Sequence, residues 1–432
     1  MPVRSRRLAL LCAVLLFAAL GALIAWTTPW HPLPGPIPGG RVEPSAAADF
    51  TAKQIARARA FHAAVDPSGY LSTAVSVLVP IVLGLTPLGA KLVRAVGRPL
   101  GGHWVAQVGL GALALAVIGR LVTLPFGLWS ERVYRAYGLS TQSWSGWFSD
   151  VGISFAINAG VTVGALLLLY LLIRRMPHRW WIPAGAGAFV LVVAGSFAYP
   201  VVVEPAFNTF TPMRHGALRR SLLHLAERDG VSVSNVLVAD ASRRTTALNA
   251  YVSGFAGTRR IVVYDTLVKS ASPREVRLVV AHELGHVSNH DVLRGTLLGG
   301  LAAAAGVCLL YWLLTWDRLR RRSGAISARD PAAVAFLLAI VAVLSFASLP
   351  AQNLVSRHVE ARADAHSLDL THDPQGFVAM QRALALRGLD RLRPAPVAYV
   401  LFATHPAPTQ RTAMARNWAH KHGVHVPDRV RP

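Results

Sequence analysis

Seven blocks of apolar residues constrain the fold of this chain more than any other feature of its sequence. They cover residues 8–26, 71–90, 104–128, 151–173, 181–203, 293–316 and 332–349. A helix needs about 20 apolar residues to cross a hydrocarbon layer roughly 30 Å thick. Because no water satisfies backbone groups inside that layer, blocks of this length predict transmembrane helices.

The overall composition is also typical of a membrane protein. Of the 432 residues, 53% are hydrophobic and only 15% are charged, whereas in soluble domains about 25% are charged. A signal peptide is the alternative interpretation of the first block, because Arg4, Arg6 and Arg7 precede it and small residues follow at 46–48. Its apolar run is long for a signal peptide, so we expect an uncleaved span.

The net charge of +23 would suggest nucleic-acid binding in a soluble protein. Here many arginines lie at the ends of apolar blocks, where they orient spans and contact anionic headgroups. We therefore expect a lipid bilayer as a partner and no nucleic acid. Four lysines against forty arginines indicate GC-rich codon usage and a bacterial source. Cys12 and Cys308 both fall inside predicted spans, which excludes a disulfide framework.

The blocks divide the chain into four parts. Residues 1–203 are expected to form five transmembrane helices with their loops, and the helical stretch 50–64 is expected to lie over the membrane face. Residues 204–292 and 351–432 are polar enough to fold outside the membrane, and residues 293–350 form a helical hairpin between them.

Local signals predict mixed structure in the first polar region. Thr211 and Pro212 are typical of a helix start, and Gly230 would end that helix. Short β-branched runs at 236–239, 245–252 and 260–264 predict a small sheet. Ser272 and Glu275 then form a capping box that begins another helix.

That helix carries the sequence HELGH at residues 282–286. Residues four apart share one helix face, so His282 and His286 can reach one ion while Glu283 is offset toward its open side. Hydrolytic zinc sites use three protein ligands and leave a position for water, whose proton a carboxylate can take. We predict that His282 and His286 are zinc ligands and that Glu283 is the general base. A solvent-facing amphipathic helix is the alternative.

Glu360 is the candidate for the third ligand. Two membrane crossings separate the histidines from the chain's return near Pro350, so the residues that follow arrive at the same membrane face. Asp364 lies one helical turn beyond Glu360, where it can hydrogen-bond a ligand imidazole. The alternative for Glu360 is a surface carboxylate paired with Arg357 or Arg362.

These residues resemble the integral-membrane CAAX prenyl protease family, which are type I zinc endopeptidases, and their bacterial relatives. The resemblance includes the seven spans, the HELGH motif, Glu360 with Asp364, and the stretches 124–126, 207–210, 249–251, 260–267 and 404–406, the last followed by Arg411. It implies that Asn249 lies on a strand alongside bound peptide and helps position it, and that His405 and Arg411 point into the site, where either can steady an oxyanion. The alternatives are a turn residue for Asn249, a loop histidine for His405 and a carboxylate partner for Arg411.

The expected fold is therefore a mainly α multi-pass membrane protein, with about seven transmembrane helices and a small α/β zincin-type domain. The resemblance also implies an enclosed intramembrane chamber. The expected function is zinc-dependent hydrolysis of peptides or membrane proteins. A metal transporter, or a metal-binding scaffold without activity, is the alternative. His290 and Asp291 follow the motif closely enough to hydrogen-bond a ligand, but His290 is not expected to be one.

Basic residues predict which membrane face carries the site. The N-terminus, the loop with Lys91, Arg94 and Arg98, the loop 174–179 and the hairpin loop 318–322 share one side, which the charge rule assigns to the cytoplasm. The catalytic regions of this plasma-membrane protein are then extracytoplasmic. The family resemblance implies the opposite orientation, and we give the charge count more weight.

Overall fold

Helices dominate the computed structural model, which describes residues 3–254, 256–427 and 429. In chain order the helices are α1 Val3–Thr27, α2 Ala46–Asp49, α3 Ala52–Leu85, α4 Pro87–Gly97, α5 Trp104–Ala136, α6 Trp144–Arg175, α7 Trp181–Ala198, α8 Glu204–Phe207, α9 Ala217–Arg228, α10 Asp265–Ser270, α11 Pro273–Ser288, α12 Asp291–Leu314, α13 Asp317–Arg322, α14 Val334–Thr371, α15 Pro374–Gly388, α16 Pro396–Phe402 and α17 Pro408–Lys421. The strands are β1 Phe210–Pro212, β2 Asn235–Ala239, β3 Ala250–Ser253 and β4 Arg260–Tyr264.

Seven of the described helical segments are long and apolar enough to cross a membrane, which confirms the predicted multi-pass fold. They are α1, α3, α5, α6, α7 with its continuation to Phe207, α12 and α14. Six of them close a ring, in which each touches the next in the order α3, α5, α6, α7, α12, α14 and back to α3. Helix α1 packs on α12.

Helix α3 corrects one prediction. The stretch 50–64 is not a separate helix over the membrane face, because α3 runs without a break from Ala52 to Leu85. Thr51 and Gln54 form the capping box that starts it. The break falls at Thr86, just before Pro87, because a residue that precedes proline avoids the helical region.

Helix α14 also extends further than the apolar pattern predicts. It has 38 residues and continues through Pro350, so one helix carries both the seventh span and Glu360. At 1.5 Å per residue it is roughly 57 Å long, about twice the thickness of the apolar layer. Its C-terminal half therefore projects from the span into the polar part of the protein.

The sheet has the order β1-β2-β4-β3, with β2 parallel to β4 and the outer pairs antiparallel. The predicted helix start at Thr211 and Pro212 is wrong, since both residues belong to β1 and α9 begins at Ala217. Pairing of Thr211 with Val238 of β2 outweighs the local capping signal. Strand β3 is shorter than predicted and begins at Ala250.

The two polar regions share one hydrophobic core. Its members come from α9, the sheet and α11 in the first region and from α15 and α17 in the second. They include Leu222, Ile261, Val280, Phe377 and Trp418, none of them more than 1% exposed. The core thus joins segments that the chain separates by a transmembrane hairpin.

The N-terminus and the basic loops that share one predicted membrane side lie together at one end of the ring. The guanidinium of Arg6 lies 5.4 Å from the ring centre of Trp312, and that of Arg174 lies 5.3 Å from the ring centre of Trp104. Trp312 is near the end of α12, whereas HELGH directly precedes the start of α12. The 24 residues of α12 therefore separate the two ends, a distance of about 36 Å.

Candidate active site and metal centre

Helix α11 begins where its capping box predicts. The Ser272 hydroxyl accepts a hydrogen bond from the Glu275 backbone N–H at 3.3 Å, and the Glu275 carboxylate accepts one from the Ser272 N–H at 2.7 Å. Gly285 then lets α14 approach closely, because a Cβ there would lie 3.0 Å from Cβ of His366. These two features place HELGH directly against α14.

The structure brings His282, His286 and Glu360 together. One ligand atom from each lies within 4.8 Å of the others. The Nε2 of His282 is 3.1 Å from one carboxylate oxygen of Glu360, and the Nε2 of His286 is 3.6 Å from the other. All three side chains are largely buried, so two nitrogens and one carboxylate oxygen converge in a protected position.

The far side of each imidazole is held by a carboxylate. The Nδ1 of His282 is 2.8 Å from Asp364, and the Nδ1 of His286 is 3.0 Å from Asp291. An Nδ1–H directed at a carboxylate leaves the lone pair on Nε2, which is the tautomer that binds a metal. The donor set therefore fits a divalent transition metal such as zinc.

An arginine backs each of these aspartates. Arg411 of α17 donates through Nε at 2.7 Å and through a second N–H to Asp364, and Arg362 of α14 donates to Asp291. From the sequence, the partner that the alternative interpretation gives the Arg362 guanidinium is the carboxylate of Glu360. Residues two positions apart point to different sides of a helix, so the spacing of Glu360 and Arg362 on α14 argues against that pairing.

The site opens into a cavity of about 580 Å³. Its walls include Asn249, Glu283, His405 and Arg411. Burial raises the pKa of the Glu283 carboxyl above its usual value, although the two histidines act in the opposite direction. Burial also lowers the pKa of His405, whose Nε2 lies 3.3 Å from Glu360. Both groups thus face a common space beside the three converging ligand atoms.

Asn249 directly precedes β3, the strand at the edge of the sheet next to α11. Its side-chain oxygen accepts from the Ala250 N–H at 3.0 Å, and its carbonyl accepts from the Tyr264 N–H at 2.9 Å. Within the described part of the sheet, β3 pairs with β4 on one side only. The structure leaves His290 outside the cluster, exposed and bonded to the Val287 carbonyl at 3.2 Å.

Two family profiles cover most of the chain. The profile described as peptidase family M48 matches residues 212–419, and the one described as CAAX prenyl protease N-terminal, five membrane helices, matches residues 40–209. The boundary between the matches lies beside β1, between the ring helices and the sheet.

Curated relatives come from bacteria and eukaryotes. The chain is 31% identical over 334 residues to an uncharacterized metalloprotease, YhfN, of Bacillus subtilis, which covers 76% of this chain and 78% of the relative. It is 26% identical over 350 residues to CAAX prenyl protease 1 of Saccharomyces cerevisiae, covering 75% and 76%. It is 30% identical over 316 residues to a CAAX prenyl protease 1 homolog of Oryza sativa, covering 70% and 72%.

The crystal structure of S. mikatae Ste24p has the same fold. The two superpose with a TM-score of 0.77 over 96% of this chain and 99% of that one, at 21% sequence identity. The matches to proteases confirm the prediction of a membrane metalloendopeptidase, and a metal transporter or scaffold finds no support among them. The chain belongs to peptidase family M48, as a membrane metalloprotease of the group that includes the CAAX prenyl proteases.

Proposed function

We propose that the protein is a zinc endopeptidase in which His282, His286 and Glu360 hold the metal. The observation that carries the proposal is the convergence of three ligand atoms within 4.8 Å of one another. Both imidazoles are oriented by carboxylates on their far sides, as in zinc sites whose Nε2 atoms bind the ion. A zinc ion there would polarise the scissile carbonyl and make water acidic enough to attack at neutral pH.

Glu283 is the general base. It lies on α11 between His282 and His286, and it faces the cavity that the peptide must enter. Burial raises its pKa, so its carboxylate is a better proton acceptor than one in water. It takes a proton from the attacking water and delivers it to the leaving nitrogen.

Three further residues position the peptide and the reacting carbonyl. His405 lies in the cavity wall beside the ligand atoms, with its Nε2 3.3 Å from Glu360, and from there it would donate a hydrogen bond to the oxyanion. Arg411 keeps Asp364 ionised and adds positive charge to the cavity wall. The peptide extends along the free edge of β3, beside Asn249, where backbone hydrogen bonds hold it independently of its sequence.

The substrates we propose are peptides or proteins associated with the membrane. Only two residues, 289 and 290, separate α11 from the spanning helix α12, and Glu360 lies on the helix that forms the seventh span. The polar regions 204–292 and 351–432 act as one catalytic unit, attached to the spans 1–203 and to the hairpin 293–350. Prenylated CAAX proteins are eukaryotic substrates, so no lipid modification is included.

The proposed location is the bacterial plasma membrane with the catalytic side outside the cytoplasm. Arg6 and Arg174 lie at the end of the ring opposite the site, together with Arg94, which is 2.8 Å from Asp330. The short loops and the N-terminus at that end are rich in basic residues and poor in acidic ones, which favours a cytoplasmic orientation for it. The family resemblance favours the reverse, and a topology experiment distinguishes the two.

Metal content and hydrolysis of purified protein test the proposed function. We expect close to one zinc per chain, and hydrolysis of a peptide that is faster when the peptide is fused to a transmembrane helix than when it is free. Glu283→Gln should retain zinc and lose activity by more than roughly a hundredfold, since a general base is removed. His282→Ala, His286→Ala and Glu360→Ala should each lose zinc.

Glu227→Gln is the matched control, because that glutamate on α9 is exposed and outside the site. It should retain both zinc and activity. Stoichiometric zinc in Glu360→Ala would show that the third ligand is another residue. A loss of less than a hundredfold in Glu283→Gln would remove Glu283 from the role of base.

A further inference from the structure

Arg120 is a cation in the middle of a membrane-spanning helix. Helix α5 runs from Trp104 to Ala136, and Arg120 is sixteen residues from each end. The apolar block of this helix covers residues 104–128, so Arg120 lies sixteen residues, about 24 Å, inside one end of the block and eight residues, about 12 Å, inside the other. Its charge is therefore within the apolar layer.

Among the residues that the structure describes, no acidic side chain pairs with this charge. The Nε atom of Arg120 is buried without a hydrogen-bond partner. Within residues 3–254, 256–427 and 429, its guanidinium also makes none of the observed ion pairs or side-chain hydrogen bonds. Ionisable groups inside membrane spans are costly, and they commonly mark the path of a substrate or ion. An unpaired guanidinium at this depth therefore indicates an anionic ligand.

A second cavity surrounds this guanidinium. It measures about 340 Å³ and lies between α3, α5 and α6. Ser76, Thr123 and Asn158 contribute polar groups to its walls, and among the described residues that line it Arg120 alone is charged. The hydroxyls of Ser76 and Thr123 already donate to backbone carbonyls of their own helices, and the Asn158 amide donates one of its two N–H groups to Ser154. The cavity therefore offers a small negative group the charge of Arg120 and the second N–H of Asn158.

The same two helices line this cavity and the catalytic one. On α3, Ser76 of the second cavity follows His62 of the catalytic cavity by fourteen residues. On α5, Arg120 precedes Tyr134 of the catalytic cavity by fourteen residues. Both counts correspond to about 21 Å along a helix. An extended peptide advances about 3.3 Å per residue, so about six residues cover this distance.

We propose that Arg120 binds a carboxylate of the peptide substrate, carried about six residues beyond the part of the peptide that lies between His62 and Tyr134 in the catalytic cavity. The carboxylate is either an acidic side chain or the C-terminus of the peptide. A lipid phosphate is the competing source of negative charge, but it belongs to the headgroup layer, whereas Arg120 lies within the apolar block of its span. The inference rests on the proposed peptidase function and names a specificity-determining residue for it.

The test is a series of peptides that place one Asp, or its isostere Asn, at successive positions on each side of the cleaved bond. For the wild-type protein we expect Asp to raise kcat/KM about tenfold over Asn, through KM, at one position of the series several residues from the cleaved bond and at no other, as for a hydrogen bond to a charged group. A peptide whose last residue is at that position should likewise have a higher kcat/KM with a free C-terminal carboxylate than with a C-terminal amide.

The variant Arg120→Gln should abolish this preference, and Arg120→Lys should retain part of it. Arg132→Gln is the matched control, because Arg132 is exposed on the same helix, and it should behave as wild type. The wild-type series alone already tests the position, whether or not a variant folds. Equal rates for Asp and Asn peptides at every position would overturn the inference, as would a preference that persists in Arg120→Gln.

Three outcomes separate this inference from others. Hydrolysis of the Asn peptides shows that the peptidase function holds even where the Asp preference fails. An absence of hydrolysis in zinc-loaded wild-type protein contradicts the proposed function instead. If Arg120→Gln weakens binding of phosphatidylglycerol in nanodiscs while Asp has no effect, the site binds lipid and the inference is wrong.

Discussion

Each of the two histidines is held by an aspartate that is itself held by an arginine. His282 contacts Asp364, whose side chain is fully buried, and Asp364 in turn contacts Arg411. His286 contacts Asp291, and Asp291 in turn contacts Arg362. Partners of this kind orient an imidazole and increase its basicity, so both aspartates contribute to metal affinity without touching the metal.

We expect Asp291→Asn to weaken zinc binding by roughly tenfold to a hundredfold, since partners of ligand imidazoles have effects of this size. Asparagine preserves the shape of the side chain but removes the charge that faces His286 and Arg362. Competition with a chelator of known affinity measures the Kd. Asp317→Asn, at the far end of α12, is the control. Unchanged affinity in Asp291→Asn would show that His286 needs no such support.

Close packing between α3 and α14 determines where Glu360 lies. Gly84 of α3 faces Ala335 and Ala339 of α14, and a side chain at residue 84 would collide with both. Helices in a bilayer associate through such small residues because lipid provides no hydrophobic force between them. Helix α14 passes from this contact directly to the catalytic unit.

Gly84→Val should lower the Tm in detergent and reduce zinc occupancy as well. Overpacking in a tight contact costs about 1–3 kcal/mol, and a displaced α14 moves Glu360 away from the histidines. Gly160→Val is the control, because residue 160 on α6 has no heavy atom within 4 Å of the added Cβ. A Tm equal to that of wild type in Gly84→Val would contradict the proposed contact.

The large polar regions lie at one end of the ring, and short loops rich in basic residues lie at the other. The catalytic cavity lies where α12 begins, and the cluster of Arg6, Arg174 and Arg94 lies where α12 ends. Orientation in the membrane therefore decides which compartment supplies the substrates.

A reporter enzyme active only outside the cytoplasm should be active when it is fused after Pro432. The charge rule places the basic end in the cytoplasm and the C-terminal region opposite to it. The same reporter fused after Arg322, in the basic hairpin loop, should be inactive. Activity of a cytoplasm-only reporter after Pro432 would restore the orientation implied by the family resemblance.

Short-range properties made much of this protein predictable from sequence. Apolar block length predicts the seven spans, the capping box predicts the start of α11, and helical periodicity places His282 and His286 on one face. These features depend on residues within a few turns of one another. Family membership was accessible for the same reason, because the HELGH motif is contiguous.

Contacts between distant segments decided the rest. Pairing with β2 made a strand of Thr211 and Pro212, although their local signal predicted a helix. The bond between Arg362 and Asp291 joins α14 to α12, and no spacing in the sequence indicates it. The cavity at Arg120 needs three helices to form its walls. Sequence alone therefore determined which residues can perform the chemistry. Packing of α11 against α14 determined that His282, His286 and Glu360 meet, because the position of α14 depends on its contacts with the other helices of the ring.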